Sequence, residues 1–285
     1  MIIEQAFVSL PELLMGNHYA TQDYEAGLVG VFSMAILQEL NGRNVAHPIQ
    51  HLQAERRYDP ASARRADLYV NIRRLMVANK RMSNYGWRHH NWIEAKFYRN
   101  KSTIQRHATS KATYQGQLIA DLLRLTCLVP LSLATEDSNG RYFLHVYDDV
   151  PKYYLPYQDR LWVRAIHEAG RQDFVINQLT NESDTAKRQF GEGLDDLQIQ
   201  ATVTNLVNEP ITTVGSRTHY WCVLTRFDAF SVTFGKLSFQ IHANRVTWEN
   251  QDGAYRHIAR IVSERLGVTK PSERQSITPA TSSRD

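Results

Sequence analysis

Glu94 and Lys96 lie close together in the run Trp92-Ile93-Glu94-Ala95-Lys96-Phe97-Tyr98. Aromatic and apolar residues flank both, which predicts a β-strand over 91–98. Side chains alternate along a strand, so Glu94 and Lys96 share one face while Ile93, Ala95 and Phe97 take the other. A carboxylate and an ammonium held side by side on a rigid element suit a metal site that activates water. Asp67 opens the preceding predicted strand, over 66–72. Adjacent strands can bring two carboxylates within a few Å on one face. Two like charges that close are unfavourable unless a cation or a proton joins them. Oxygen ligands with room for water and phosphate suit Mg²⁺, with Lys96 holding or deprotonating the water. The plainer alternative is a Glu94–Lys96 salt bridge worth at most about 1 kcal/mol. Spacing alone leaves the two readings level.

These residues need a scaffold. Apolar spacing predicts a helix over 22–40 through Leu28, Val31, Phe32, Ala35, Ile36 and Leu40. Glu25 lies on the same side, an unusual place for a carboxylate because burying an unpaired charge is costly. Strands follow at 49–58, with Leu52, Ala54 and Tyr58 sharing a face, at 66–72 and at 91–98. A helix over 112–129 stops at Pro130, and a strand covers 141–147. In the second half, helices are expected at 157–169, 184–193 and 254–266. Strands are expected at 197–206, 218–226, 229–234 and 236–243. Ser, Thr and Pro dominate from Thr269 onward, which predicts a flexible tail over 269–285.

Composition narrows the class. At 285 residues and 42 % hydrophobic, the chain can build a sizeable core. No apolar run approaches the roughly 20 residues of a membrane helix. With no secretory pattern at the N-terminus, a soluble, cytoplasmic protein is expected. Cys127 and Cys222, each in an apolar setting, read as buried free thiols. From Glu55 to Lys111 there are 14 Lys and Arg against 4 Asp and Glu, a net of +10 in a chain whose total is +4. That excess surrounds the Glu94/Lys96 strand. Concentrated basic surface attracts phosphates and steers nucleic acid, although a solvated basic face gives the same composition.

The order helix, three strands, helix, strand, carrying Asp67…Glu94-x-Lys96, resembles the PD-(D/E)XK nuclease superfamily. The resemblance covers roughly residues 20–150. Ala66 precedes the Asp where the family name has Pro. The resemblance implies an α/β, restriction-endonuclease-like core with a central mixed sheet flanked by helices. It implies that Asp67 and Glu94 bind Mg²⁺, for which Mn²⁺ substitutes, and that Lys96 assists the water. It gives Glu25 a place as a further ligand. Gln115 and Gln117, on the helix after the Lys strand, become candidate DNA contacts.

The division that follows is a nuclease core over 1–156, an α+β region over 157–268 for target reading, sensing or oligomerisation, and the tail. The expected activity is Mg²⁺-dependent endonuclease cleavage of DNA in restriction or phage defence. Arg99, Lys101, Arg106 and Lys111 would grip the phosphate backbone, and a homodimer or higher homo-oligomer is expected. The alternatives are a repair or recombination nuclease, or a non-catalytic nucleic-acid-binding protein on the same fold. Other motifs are weak. Gly191-Glu192-Gly193 lacks the third glycine of a dinucleotide loop, and no phosphate-binding Gly-Lys-Ser/Thr occurs.

Overall fold

A computed structural model describes residues 2–16, 24–59, 63–72, 88–98, 110–131, 139–156, 160–177, 179–210, 220–242 and 245–267. Among these, nine strands form one sheet. They are β1 (Leu52–Arg57), β2 (Arg65–Asn71), β3 (His90–Tyr98), β4 (Asn139–Tyr147), β5 (Gly170–Ile176), β6 (Leu197–Asn208), β7 (Trp221–Phe234), β8 (Leu237–His242) and β9 (Arg245–Glu249). The order is β1-β2-β3-β4-β7-β6-β5, with β8 added to β7 and β9 to β8. The β3–β4 pair is parallel and the other pairs are antiparallel. A parallel pair needs a crossover, and α3 (Lys111–Leu123) lies on that connection. The protein is thus α/β, with a mixed central sheet flanked by helices.

Two apolar layers cover the sheet. On one face α1 (Ile2–Gly16) and α2 (Tyr24–Gly42) bury Phe7, Leu10, Leu28, Phe32 and Ile36 against Leu68, Val70, Ile93, Ala95 and Leu144. On the other, α3, α5 (Asp184–Phe190) and α6 (Ala254–Arg265) pack over Trp92, Tyr98, Phe143 and Tyr147. This second cluster runs from Tyr58 to Leu266 and draws on both sides of residue 156. The sheet itself continues across that point through the β4–β7 pair. Cys127 and Cys222 are buried free thiols, one in each layer. Among the described residues no helix is long and apolar enough to cross a membrane.

The predicted order of helix, three strands, helix and strand is present, with differences that have local causes. The predicted strand 49–58 begins as a 3-10 turn, Pro48–His51, because proline suits the first turn of a helix. Within β1, Glu55 has φ of 52° and is absent from the ladder, which keeps its register from Ala54↔Leu68 to Arg56↔Ala66. Leu52 packs on the α1/α2 layer, whereas Tyr58, expected on the same face, enters the other layer and stacks on Trp92 at 5.3 Å. The predicted helix 112–129 is α-helical only to Leu123 and closes as a π-turn over Arg124–Leu128. In the second half the predicted helix near 157–169 is only α4 (Leu161–Ala165). The strands at 218–226 and 229–234 are one strand, β7.

Candidate active site

The site begins where β2 and β3 part. Their ladder runs from Asn71↔His90 to Leu68↔Ile93 and stops there, while β3 continues beside β4 to Tyr98. Asp67 is the next residue of β2. Its Oδ2 accepts the Ala95 backbone N–H at 2.7 Å, in place of a partner carbonyl. The splayed strands thus aim Asp67 at the segment holding Glu94 and Lys96. As predicted from alternation, Ile93, Ala95 and Phe97 enter the α1/α2 layer. Glu94 lies opposite them and is completely buried. Lys96 Nζ pairs with Oε1 of Glu25 at 2.5 Å. Glu25 sits in the first turn of α2 and reaches Lys96 beyond the end of the β2–β3 ladder. Asp67, Glu94, Lys96 and Glu25 are therefore brought into one neighbourhood.

Three further residues complete it, and none was singled out from sequence. Tyr58 donates its hydroxyl hydrogen to Glu94 Oε1. Arg124 Nη1 donates to Glu94 Oε2 at 3.1 Å and to Asp121 Oδ1 at 2.5 Å. Glu94 thus has no lone charge, since both oxygens have donors. Asp121 is 2 % exposed, and its Oδ2 has no hydrogen-bond partner among the described residues. The π-turn sets this geometry. The Arg124 N–H is shared between the carbonyls of Ala120 and Asp121, and Thr126 Oγ1 donates to Leu122 O at 2.8 Å. Short π segments inside helices recur at functional sites. A signal for these residues existed in the run Leu118-Ile119-Ala120-Asp121-Leu122-Leu123-Arg124-Leu125, where two charges interrupt an otherwise apolar helix. A helix apolar on all sides is buried, so its charges must be paired.

Burial dominates the electrostatics. It raises the Asp67 carboxyl to about 7, against the bond from Ala95. Asp121 and Glu25 push it the same way, and Arg124 opposes them. Glu94 stands well above the usual carboxylate range, first through burial and then through Asp67, with Arg124 opposing. Burial pulls Lys96 down, but Asp121, Glu25 and Asp67 more than offset it, so Lys96 is held above its ordinary value. Arg124 is likewise raised, because Asp121 and Glu94 outweigh burial. Carboxylates therefore outnumber cations here: Asp67, Glu94, Asp121 and Glu25 face Lys96 and Arg124.

Among the described residues, no three His, Cys, Asp or Glu side chains converge as a ready metal-binding group. The donor chemistry nevertheless fits a hard dication. The oxygens are carboxylate, they exceed what the two cations neutralise, and Asp121 carries a buried oxygen with no partner among the described residues. Arg124 bridges two of those carboxylates.

The other predicted residues fall in several places. Arg99, Lys101 and Arg106 lie outside the described residues. Lys111 opens α3, is exposed, and donates from Nζ to Lys152 O at 2.8 Å. Gln115 is buried, with Nε2 unbonded among the described residues. Gln117 is half-buried on the same helix. Glu55, within β1, is exposed. No family model, curated protein or solved structure matches the chain.

Proposed function

We propose that the chain is a Mg²⁺-dependent endonuclease that hydrolyses DNA phosphodiester bonds, built on a restriction-endonuclease-like core. The observation that carries this reading is the convergence of Asp67, Glu94 and Lys96 where β2 and β3 part. Asp67 and Glu94, joined by Glu25, would hold the metal, and Mn²⁺ would substitute. Bound there, a dication supplies Lewis-acid stabilisation of the charge that develops on phosphate. Lys96 is held in its ammonium form by its acidic neighbours. It therefore suits donating a hydrogen bond, orienting the water for in-line attack and stabilising negative charge, rather than taking a proton. Arg99, Lys101, Arg106 and Lys111 would contact backbone phosphates, with Gln115 and Gln117 on the helix above the sheet as further contacts.

A role in restriction or phage defence draws support from the second half of the sheet. Gln200, Thr202, Ser231, Gln240, His242 and Thr247 line an open groove of about 240 Å³. That is hydrogen-bonding surface of the kind target reading uses. A homo-oligomer is part of the same proposal.

A second reading, a nucleic-acid-binding protein without catalysis, is favoured by one observation. Tyr58 and Arg124 already satisfy both Glu94 oxygens. Incubation of supercoiled plasmid with Mg²⁺ or with EDTA separates the two. The nuclease reading expects nicking or linearisation in Mg²⁺ alone. Glu94→Ala and Lys96→Ala should lose at least about a hundredfold in cleavage while DNA binding by gel shift stays within about threefold. Retained DNA binding without any metal-dependent cut would establish the second reading instead.

A further inference from the structure

We propose that Arg124 is an internal counter-cation that the dication displaces, and that Asp121 is a further carboxylate of the metal site. This rests on the nuclease reading and adds a control on how that site is loaded.

A single nitrogen, Nη1 of Arg124, bridges Glu94 on the sheet and Asp121 on α3. Bridging two carboxylates from different elements is what a bound dication does. The exposures differ in the way displacement requires. Glu94 and Asp121 side chains are 0 % and 3 % exposed, whereas Arg124 is 29 % exposed. The carboxylates are shielded from solvent, and the guanidinium is partly open to it. Arg124 also begins the π-turn, where helical hydrogen bonding is already loosened. Asp121 points the same way. Its Oδ2 is buried without a donor among the described residues, and leaving a buried carboxylate oxygen unbonded is costly unless something else binds it. The buried hydroxyl of Tyr98, two residues beyond Lys96, also lacks a partner among them, and Asp121 and Glu25 both act on it. Polar capacity on the helix side of the site thus exceeds what these groups use.

In the metal-free protein Arg124 holds Glu94 and Asp121 together against their repulsion. When a dication arrives, Arg124 leaves towards solvent and both carboxylates become ligands. Arg124 therefore competes with metal, and the affinity of the site is set below what its carboxylates alone would give.

Mn²⁺ binding to the full-length protein, followed by electron paramagnetic resonance of free Mn²⁺, tests this without reference to cleavage. Arg124→Met should bind Mn²⁺ about tenfold tighter or more, since the competing cation is gone. Arg124→Lys should stay within about threefold of the parent. Asp121→Asn should bind about tenfold weaker. Far-UV circular dichroism confirms that each variant is folded. Should Arg124→Met misfold, Asp121→Asn and Arg124→Lys still decide. Parent binding with Arg124→Met unchanged or weaker overturns the proposal, because removing a cation that competes with metal must raise affinity. Unaltered affinity in Asp121→Asn removes Asp121 from the site. If neither the parent nor Arg124→Met binds Mn²⁺ and plasmid is never nicked, the nuclease reading itself fails.

Discussion

Tyr58 shows how closely structure and chemistry are tied at the level of single residues. Its hydroxyl serves Glu94, and its ring stacks on Trp92. Arg56 completes this wall with its guanidinium 4.1 Å from the Tyr69 ring centroid. Tyr58→Phe keeps the stack and removes only the donor, leaving a fully buried carboxylate oxygen short of one hydrogen bond. It should destabilise the protein by about 1–3 kcal/mol, read from urea unfolding. A loss within error would mean that water or Arg124 takes over. Legibility at this scale was uneven. Glu94, Lys96 and Asp67 stood out because strand alternation assigns faces without knowing the fold. Tyr58 was hidden because simple alternation puts it with Leu52, whereas the chain turns irregular at Glu55, whose φ is positive, and Tyr58 enters the other layer. Asp121 and Arg124 read as an ordinary i, i+3 helix pair until α3 is laid over β3.

At the scale of elements, α3 carries the greatest constraint. Ser110 caps it, accepting the Thr113 N–H at 3.2 Å. Gly116 lies against α5 so closely that a Cβ there would overlap the Ala186 carbonyl and the Gln189 side chain. Gly116→Ala, which raises helix propensity, should nonetheless destabilise by about 1–3 kcal/mol because backbone must shift. Urea denaturation should show the loss, and a gain would mean that α3 and α5 have room to separate. Further along, Arg141 of β4 donates from Nε to Leu125 O at 2.9 Å, binding a carbonyl inside the π-turn. Elements with strong periodicity were the ones read from sequence, β3, α3 and β8 among them. Helix α1 was not expected: Ile2, Ala6, Phe7, Leu10 and Leu14 do keep helical spacing, but Pro11 inside it reads as a breaker. β5 escaped because its burial alternates weakly, and β9 because it is short and follows β8 closely.

Across the whole molecule, the two halves of the chain meet in a buried polar chain. His167 Nδ1 donates to Val163 O at 2.6 Å, which leaves Nε2 to accept from the Tyr147 hydroxyl at 2.6 Å. His145 joins Tyr147 at 3.1 Å and Thr225 at 3.3 Å. The chain thus ties β4 to β7 and α4. Burial pushes His145 well below its ordinary value, with His167 adding to it. Burial also pushes His167 down to about 4, against its bond to Val163. An unfolded histidine takes a proton near pH 6.5, and folded His167 resists until about pH 4. Between those values the unfolded chain binds more protons, so stability falls as pH drops through that window. The urea midpoint should therefore decrease from pH 7 to pH 5. His167→Gln, which cannot titrate, should show a smaller decrease, and an equal one would assign the acid sensitivity elsewhere. Nothing in the sequence pattern pairs these histidines, because their contact depends on the turn after α4 being laid against β4.

The end of the β2–β3 ladder has one more consequence. Asp67 does the work of a missing main-chain carbonyl for Ala95, so the residue proposed as a metal ligand is also part of the strand's wiring. Shortening it to alanine would strip an amide in the middle of β3 of its acceptor and disturb Glu94 and Lys96 on either side. A dead Asp67→Ala protein would be silent on whether the carboxylate had any chemistry. Asparagine retains an oxygen for that amide and deletes only the ionisable group, so the loss seen with it belongs to the charge.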